Sequence, residues 1–245
     1  TCLTVGRITK KQKKYMKPKL YIVSTPIGNY EDITLRALRI LKECDFIICE
    51  ELKEARRFLS HYKIEKEIIS LNEHNESESA NELILKLLEG NTAALISDCG
   101  TPLFSDPGHL LVDLALQNRI DVIPVPGVSS LLTALVGSGL DFEKFYYYGW
   151  LSPKKDIRRK QLLDLRKRRS SGPNGETIVL MDTPYRLKTL LEDIVKLLGA
   201  NIPCVLAFEL TKEKEKFYRG NAQNILNVVE KENLKGEFVL IIKTL

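Results

Sequence analysis

Three features of the 245-residue chain predict an α/β protein made of two α/β domains. Short apolar runs of strand length alternate with longer stretches whose apolar residues recur three and four apart. The runs stop at turns rich in Gly, Pro, Thr and Asn. A Gly137-Ser138-Gly139 break then separates two such series, which predicts a flexible basic arm over residues 1–18, an N-terminal α/β domain over 19–139 and a C-terminal α/β domain over 140–245.

The first strand is residues 20–24, ended by Thr25-Pro26-Ile27-Gly28-Asn29. Leu35, Leu38 and Leu41 follow at near-helical spacing, with Asp32 as a candidate cap. Phe46 to Cys49 and Ile68 to Leu71 read as strands, and Leu83, Ile84, Leu87 and Leu88 form one helical face. Ala93 to Ser97 is a strand, Gly108 to Gln117 a helix, Val122 to Val125 a strand and Ser129 to Val136 an apolar helix. Strands alternating with helices point to a mostly parallel sheet, because parallel neighbours need a crossover of about a dozen residues. In the second half, Phe145 to Tyr148, Ile178 to Met181, Val205 to Phe208 and Phe238 to Ile242 read as strands. Leu187, Leu190, Leu191, Ile194, Leu197 and Leu198 make one helical stripe, and Ile225, Leu226 and Val229 another.

Composition narrows the function classes. The net charge of +5 permits a nucleic-acid partner without requiring one. Cys2, Cys44, Cys49, Cys99 and Cys204 lack paired spacing, which suits reduced thiols in a cytoplasmic protein, and with three histidines no metal site is expected. No apolar run reaches bilayer length, and the N-terminus lacks the apolar stretch of a signal peptide, so no membrane association is expected. Lys10, Lys11, Lys13 and Lys14 precede Met16, a candidate natural start; the arm they form is either a flexible extension or an RNA-contacting tail.

Three loops after predicted strands expose backbone: Thr25 to Asn29, Asp98 to Gly108 and Pro124 to Ser130. In open α/β sheets ligands bind outside the carboxyl ends of strands, so these loops are expected to converge on one site. Each loop taken alone also reads as a plain turn. Phosphate-binding patterns such as GxGxxG or a P-loop are absent, which favours a ligand without phosphates.

These loops carry a resemblance. Residues 20–29, 97–108 (Ser-Asp-Cys-Gly-Thr-Pro-Leu-Phe-Ser-Asp-Pro-Gly) and 126–130 resemble the signature loops of the ribosomal RNA small subunit methyltransferase I family, within the tetrapyrrole methylase superfamily of class III S-adenosylmethionine methyltransferases. The similarity continues through Gly149 to Pro153, Asp182 to Arg186, Glu209 to Lys212 and Lys235 to Leu240, and so spans roughly residues 20 to 243 in order. Residues 100–108 are the specific part of the match. The resemblance implies two α/β domains of the tetrapyrrole methylase type with a cofactor cleft between them, a homodimer, and methyl transfer from S-adenosylmethionine to the 2′-oxygen of a cytidine in small-subunit (16S) rRNA. It places cofactor contacts at Pro26, Gly28, Asp98, Gly100, Thr101, Ser105, Asp106, Ser129, Ser130, Met181 and Asp182. The chain departs from the family's Glu-Asp-Thr-Arg with Glu50-Glu51-Leu52-Lys53, where lysine lacks arginine's bidentate fork. It also lacks a histidine in Met181 to Arg186.

A sulfonium methyl is activated already, so catalysis is chiefly a matter of placing the acceptor oxygen about 3 Å away on the C–S axis. A base or cation facing the weakly acidic hydroxyl helps. Glu50, Asp98, Glu209 and Lys212 are candidates; Glu209 and Lys212 are the catalytic pair expected here, while Asp98 and Glu50 serve equally as caps or loop supports. For RNA, residues 154–169 hold Lys154, Lys155, Arg158, Arg159, Lys160, Arg166, Lys167, Arg168 and Arg169 against Asp156 and Asp164. That excess of seven in a chain of +5 leaves the remainder slightly acidic. Lys154, Lys155, Arg158, Arg159, Arg168, Arg169 and Arg186 are the expected RNA contacts, on rRNA or an assembled 30S subunit. The same segment also reads as a solvated helix with Leu162, Leu163 and Leu165 inward. Tyr146, Tyr147, Tyr148 and Trp150 stand just before it as stacking candidates. Two further readings stay open at this stage: a methyltransferase for a tetrapyrrole or other small acceptor, and a protein that binds S-adenosylmethionine or RNA without turnover.

Overall fold

Residues 17–104, 106–167 and 176–244 are described by the computed structural model. The expectations placed on the basic arm before Lys17, on Ser105 and on Arg168 and Arg169 therefore lie outside the described residues. The chain divides into two units, one ending at Ser129 and one beginning at Ser130.

The first unit is a parallel sheet of β1 (Lys19–Val23), β2 (Phe46–Cys49), β3 (Glu67–Ser70), β4 (Thr92–Ile96) and β5 (Asp121–Val125), in the order β3-β2-β4-β1-β5. Alternation along each strand feeds two cores. Phe46, Ile48, Ala93, Leu95, Leu20 and Ile22 face one side, where α3 (Glu76–Leu88) and α4 (His109–Gln117) bury Leu83, Leu87 and Leu111. Ile47, Cys49, Ala94, Ile96, Val23 and Val125 face the other, under α1 (Leu35–Glu43) and α2 (Leu52–His61) with Leu41, Phe58 and Leu59. Each Val, Leu, Ile or Phe among them, fully buried, stabilises the fold by about 1.5–3 kcal/mol relative to exposure. The first-half strands and helices predicted from periodicity are present. Thr34, not Asp32, caps α1: its hydroxyl accepts from Ala37 N at 3.1 Å, while Asp32 closes a 3-10 turn, Tyr30–Asp32.

The second unit holds α5 (Ser130–Ser138), β6 (Phe145–Trp150), α6 (Lys155–Lys167), β7 (Thr177–Asp182), α7 (Leu187–Leu197), β8 (Pro203–Phe208), β9 (Lys216–Asn221), α8 (Ala222–Glu232) and β10 (Phe238–Lys243). Its sheet runs β6-β7-β10-β8-β9, and only β6 and β7 are parallel. The parallel arrangement inferred from strand–helix alternation thus holds for the first unit alone. The second turns antiparallel because β8 passes to its neighbour β9 through a short loop, which needs no crossover helix. α6, α7 and α8 cover one face through Leu162, Leu190, Leu191, Ile225 and Val229, and α5 packs against β8, β9 and β10.

The Gly137 break reflects packing rather than a linker. A Cβ on Gly137 would overlap the Phe217 ring, and Arg219 donates to the carbonyls of Gly137 and Ser138. α5 therefore belongs with the second sheet, and the division falls before this helix instead of after it.

Candidate functional site

In the first sheet the chain leaves β1 toward β2 on the face covered by α1, and leaves β4 toward β5 on the face covered by α4. β1 and β4 are neighbours, so their connections diverge and open a crevice outside their carboxyl ends. Two of the sequence-predicted loops begin there, and the third leaves β5, the other neighbour of β1.

A chain of hydroxyls ties the three loops together. Thr101 Oγ1 donates to Val128 O at 3.2 Å, which leaves Ser24 Oγ, 3.1 Å away, as the donor to Thr101. Thr25 N donates to Gly100 O at 2.8 Å, and the Thr25 hydroxyl donates to Ser97 O at 3.1 Å. Ser24, Thr25 and Ser97 are buried, and each buried hydroxyl has a partner. Gly100 adopts φ +86° in this arrangement, and a Cβ there would stand 3.2 Å from Ile27 Cγ2. At Gly127 a Cβ would come within 2.9 Å of Ser24 Cβ. Both positions demand bare backbone.

The same edge collects carboxylates. Burial pushes the Asp106 carboxyl above the usual range, against the opposing hydrogen bond from Ser97. Asp98 is raised by burial and by Asp106 and Glu51, although the Glu51 amide, at 3.4 Å, favours its charged form. Glu50 is raised by burial first and then by Asp106, Asp98 and Glu73. Glu51 caps α2, accepting from Lys53 N at 3.1 Å. Electrostatically this end is suited to a cationic ligand.

Of the expected cofactor residues, Pro26, Gly28, Asp98, Gly100, Thr101, Asp106 and Ser129 all stand on these three loops, and Ser130 opens α5. Sequence reasoning missed the buried hydroxyls of Ser24 and Ser97, whose flanking strand pattern was the available signal. It also missed Glu76, which caps α4 by accepting from Gly108 N at 2.8 Å and Leu110 N at 3.2 Å. Only tertiary structure pairs residues so distant in sequence.

Met181 and Asp182 end β7 in the second unit. Register sets Asp182 opposite Phe238, and Phe238 opposite Phe208, so the loops after β7 and β8 and the one before β10 share one sheet edge. Asp182 is 2% exposed; Arg186 Nε donates to its Oδ1 at 2.5 Å, and Thr183 N donates at 2.6 Å. Asp182 Oδ2, Thr183 Oγ1 and Arg186 Nη1 have no protein partner among the described residues. Glu209 has φ +50° and Thr211 φ +62°, a strained loop for residues with side chains. Glu209 Oε1 accepts from Lys212 Nζ at 3.0 Å and from Glu237 N at 2.7 Å, so this expected catalytic pair is an ion pair fixed to β10's entry.

The basic segment becomes α6, and the expected RNA contact at Arg158 is corrected, while Arg159 keeps a partly exposed side chain. Arg158 is buried, with Nη2 2.8 Å from Asp193 Oδ2, and Arg159 Nε lies 2.9 Å from Asp193 Oδ1. Arg158 faces the core because positions 158, 162 and 165 share the helix side that packs inward. Arg186 is likewise engaged, by Asp182 and by Leu151 O at 3.4 Å. Lys154, Lys155, Lys160, Arg166 and Lys167 remain exposed.

A sequence profile of the Tetrapyrrole (Corrin/Porphyrin) Methylases matches residues 19–226. The chain is 40% identical to "Ribosomal RNA small subunit methyltransferase I" of Halalkalibacterium halodurans over 232 residues, covering 95% of this chain and 78% of that one. It is 41% identical to the protein of the same name from Escherichia coli O157:H7, over 92% of this chain and 77% of the relative. Among solved structures, uroporphyrin-III C-methyltransferase from Thermus thermophilus in complex with S-adenosylhomocysteine superposes with a TM-score of 0.63 at 17% identity, over 92% of this chain and 97% of that one.

Proposed function

Because the chain belongs to the tetrapyrrole methylase family, we propose that it transfers the methyl group of S-adenosylmethionine to a ribose 2′-hydroxyl, on a cytidine of small-subunit ribosomal RNA. One observation carries the reading: three loops tied by the Ser24–Thr101–Val128 hydroxyl chain stand at the switch point of the first sheet, in a chain 40% identical to a ribosomal RNA methyltransferase.

The residues present fit the cofactor. Gly100 and Gly127 leave backbone where a Cβ would collide, and Glu50, Asp98 and Asp106 complement a molecule that carries sulfonium and ammonium charges. Pro26, Gly28, Asp98, Gly100, Thr101, Asp106 and Ser129 would hold it; Ser105, Ser130, Met181 and Asp182 are assigned on the resemblance alone. When bound, it supplies an activated methyl group, so the protein's task is orientation. Lys212, held by Glu209, is assigned to stabilising the charge that develops on the acceptor oxygen. Lys154 and Lys155 are assigned to phosphates. A cytoplasmic setting follows from a ribosomal substrate. A homodimer belongs to the same reading, supported by Leu132 and Val136, one turn apart on α5 and 55% and 73% exposed.

Methyl-labelled cofactor offered with protein-free rRNA, assembled 30S subunits and uroporphyrinogen tests the assignment. Label recovered in 2′-O-methylcytidine is the expected result; label in the tetrapyrrole alone would overturn it.

The carboxylates make a pH prediction. Their pKa values are raised in the folded protein, so the native state retains protons that the unfolded state has lost, and stability falls as pH rises from about 4 through the raised values. A bound cation relieves that cost. The thermal shift caused by S-adenosylmethionine is therefore expected to grow across this window, whereas S-adenosylhomocysteine, which lacks the sulfonium charge, gives a flatter profile. Parallel profiles for the two ligands would remove the carboxylates from the sulfonium site.

A further inference from the structure

The outer side of α2 carries a second cationic surface, leading away from the candidate cofactor loops. α2 begins beside the carboxyl edge of the first sheet, at its Glu51 cap, and ends at His61, just ahead of the amino end of β3. Lys53 and Arg56 are exposed and neighbour each other three residues apart on the helix surface, and Lys63 is exposed just past the helix end. The neighbouring cations have internal partners: Arg57 meets Glu54 at 3.5 Å, and Lys66 Nζ donates to Cys44 O at 2.6 Å. Among the described residues no ion pair engages Lys53, Arg56 or Lys63.

This stripe runs into a groove of about 500 Å³. Its lining holds Arg56, Lys63 and Lys66 against the single carboxylate of Glu65, with half-buried Ile68 as its accessible apolar side chain. The volume falls in the range of small-ligand sites, about 300–1,000 Å³. Cations at the walls suit phosphate oxygens. Lys66 belongs to the residue just before β3, and Cys44 precedes β2, which puts the groove at the amino edge of the sheet, opposite the candidate cofactor loops.

We infer that Lys53, Arg56 and Lys63, with the groove beyond them, form a second contact track for the RNA strand, separate from α6. The inference rests on the reading of RNA as substrate. A strand laid along α2 meets two cations near the start of the helix and a third just past its end, where one nucleotide is seated in the groove. The track contributes affinity through phosphates and carries no base specificity along the stripe.

The test is the full chain with Lys53→Gln, Arg56→Gln and Lys63→Asn combined. Asparagine is chosen because residue 63 has φ +53°, a conformation it tolerates, and Lys66 is left in place because its ammonium supports Cys44 O. Binding to small-subunit rRNA and to 30S subunits is titrated at several salt concentrations. Loss of about three phosphate contacts reduces the magnitude of the log–log salt slope by about 2 on single-stranded RNA. RNA affinity falls tenfold or more, while S-adenosylmethionine affinity and the melting temperature stay at their starting values. An unchanged slope with intact RNA binding overturns the track. Because binding is read without methyl transfer, a wild-type protein that methylates no rRNA would defeat the functional reading by itself, and the slope would still decide the track.

Discussion

Valine at position 100 is expected to reduce S-adenosylmethionine affinity at least a hundredfold in isothermal titration, with the second unit unaffected in thermal unfolding. Gly100 combines three demands: φ +86°, a Cβ site 3.2 Å from Ile27 Cγ2, and a carbonyl that accepts from Thr25 N at 2.8 Å. A β-branched residue held in that conformation costs about 1–3 kcal/mol, and the loop escapes the strain by moving. Moving it breaks the link between the β1 and β4 loops and fills the space against which a ligand would lie. Alanine, with less bulk and no branch, is expected to lose less. An unchanged titration for the valine variant would take this loop out of the cofactor site.

The second large effect concerns Asp193. Alanine there leaves the guanidinium of Arg158, whose side chain is 5% exposed, buried without its carboxylate. Breaking a buried pair from one side costs about 3–5 kcal/mol. For a protein of this size, about 2–4 °C per kcal/mol puts the fall in melting temperature at roughly 10 °C. Replacing both partners, with Arg158→Met and Asp193→Leu, is expected to recover most of the loss, since neither charge then remains to be solvated. If Asp193→Ala melts with the wild type, Arg158 is solvated after all and returns to the RNA-facing set.

These two residues show what a linear sequence displays and what it conceals. Gly100 was legible because the need for bare backbone selects glycine in a turn after a strand, and strand and turn are both local patterns. The same holds for the central strands β2 and β4 of the first sheet, whose apolar runs follow from burial on two faces. Arg158 was misread because charge counting cannot see a carboxylate 35 positions away, at residue 193. β9, with sequence Lys-Phe-Tyr-Arg-Gly-Asn, was not anticipated since an edge strand needs little apolar character, and its Phe217 and Arg219 make sense only against α5. α2 was overlooked because Ala55, Phe58 and Leu59 are its only buried residues in a segment dense with charge.

By itself the sequence determined the α/β class, the three backbone-exposing loops and the family, because periodicity, turn chemistry and motif order are all written in neighbouring residues. Tertiary structure alone decided which hydroxyls lock those loops together, which carboxylates crowd one another, which arginines are solvated and where the second sheet turns antiparallel. Those outcomes depend on distances between segments far apart in the chain, and the interactions that fix them come into being only when the segments pack.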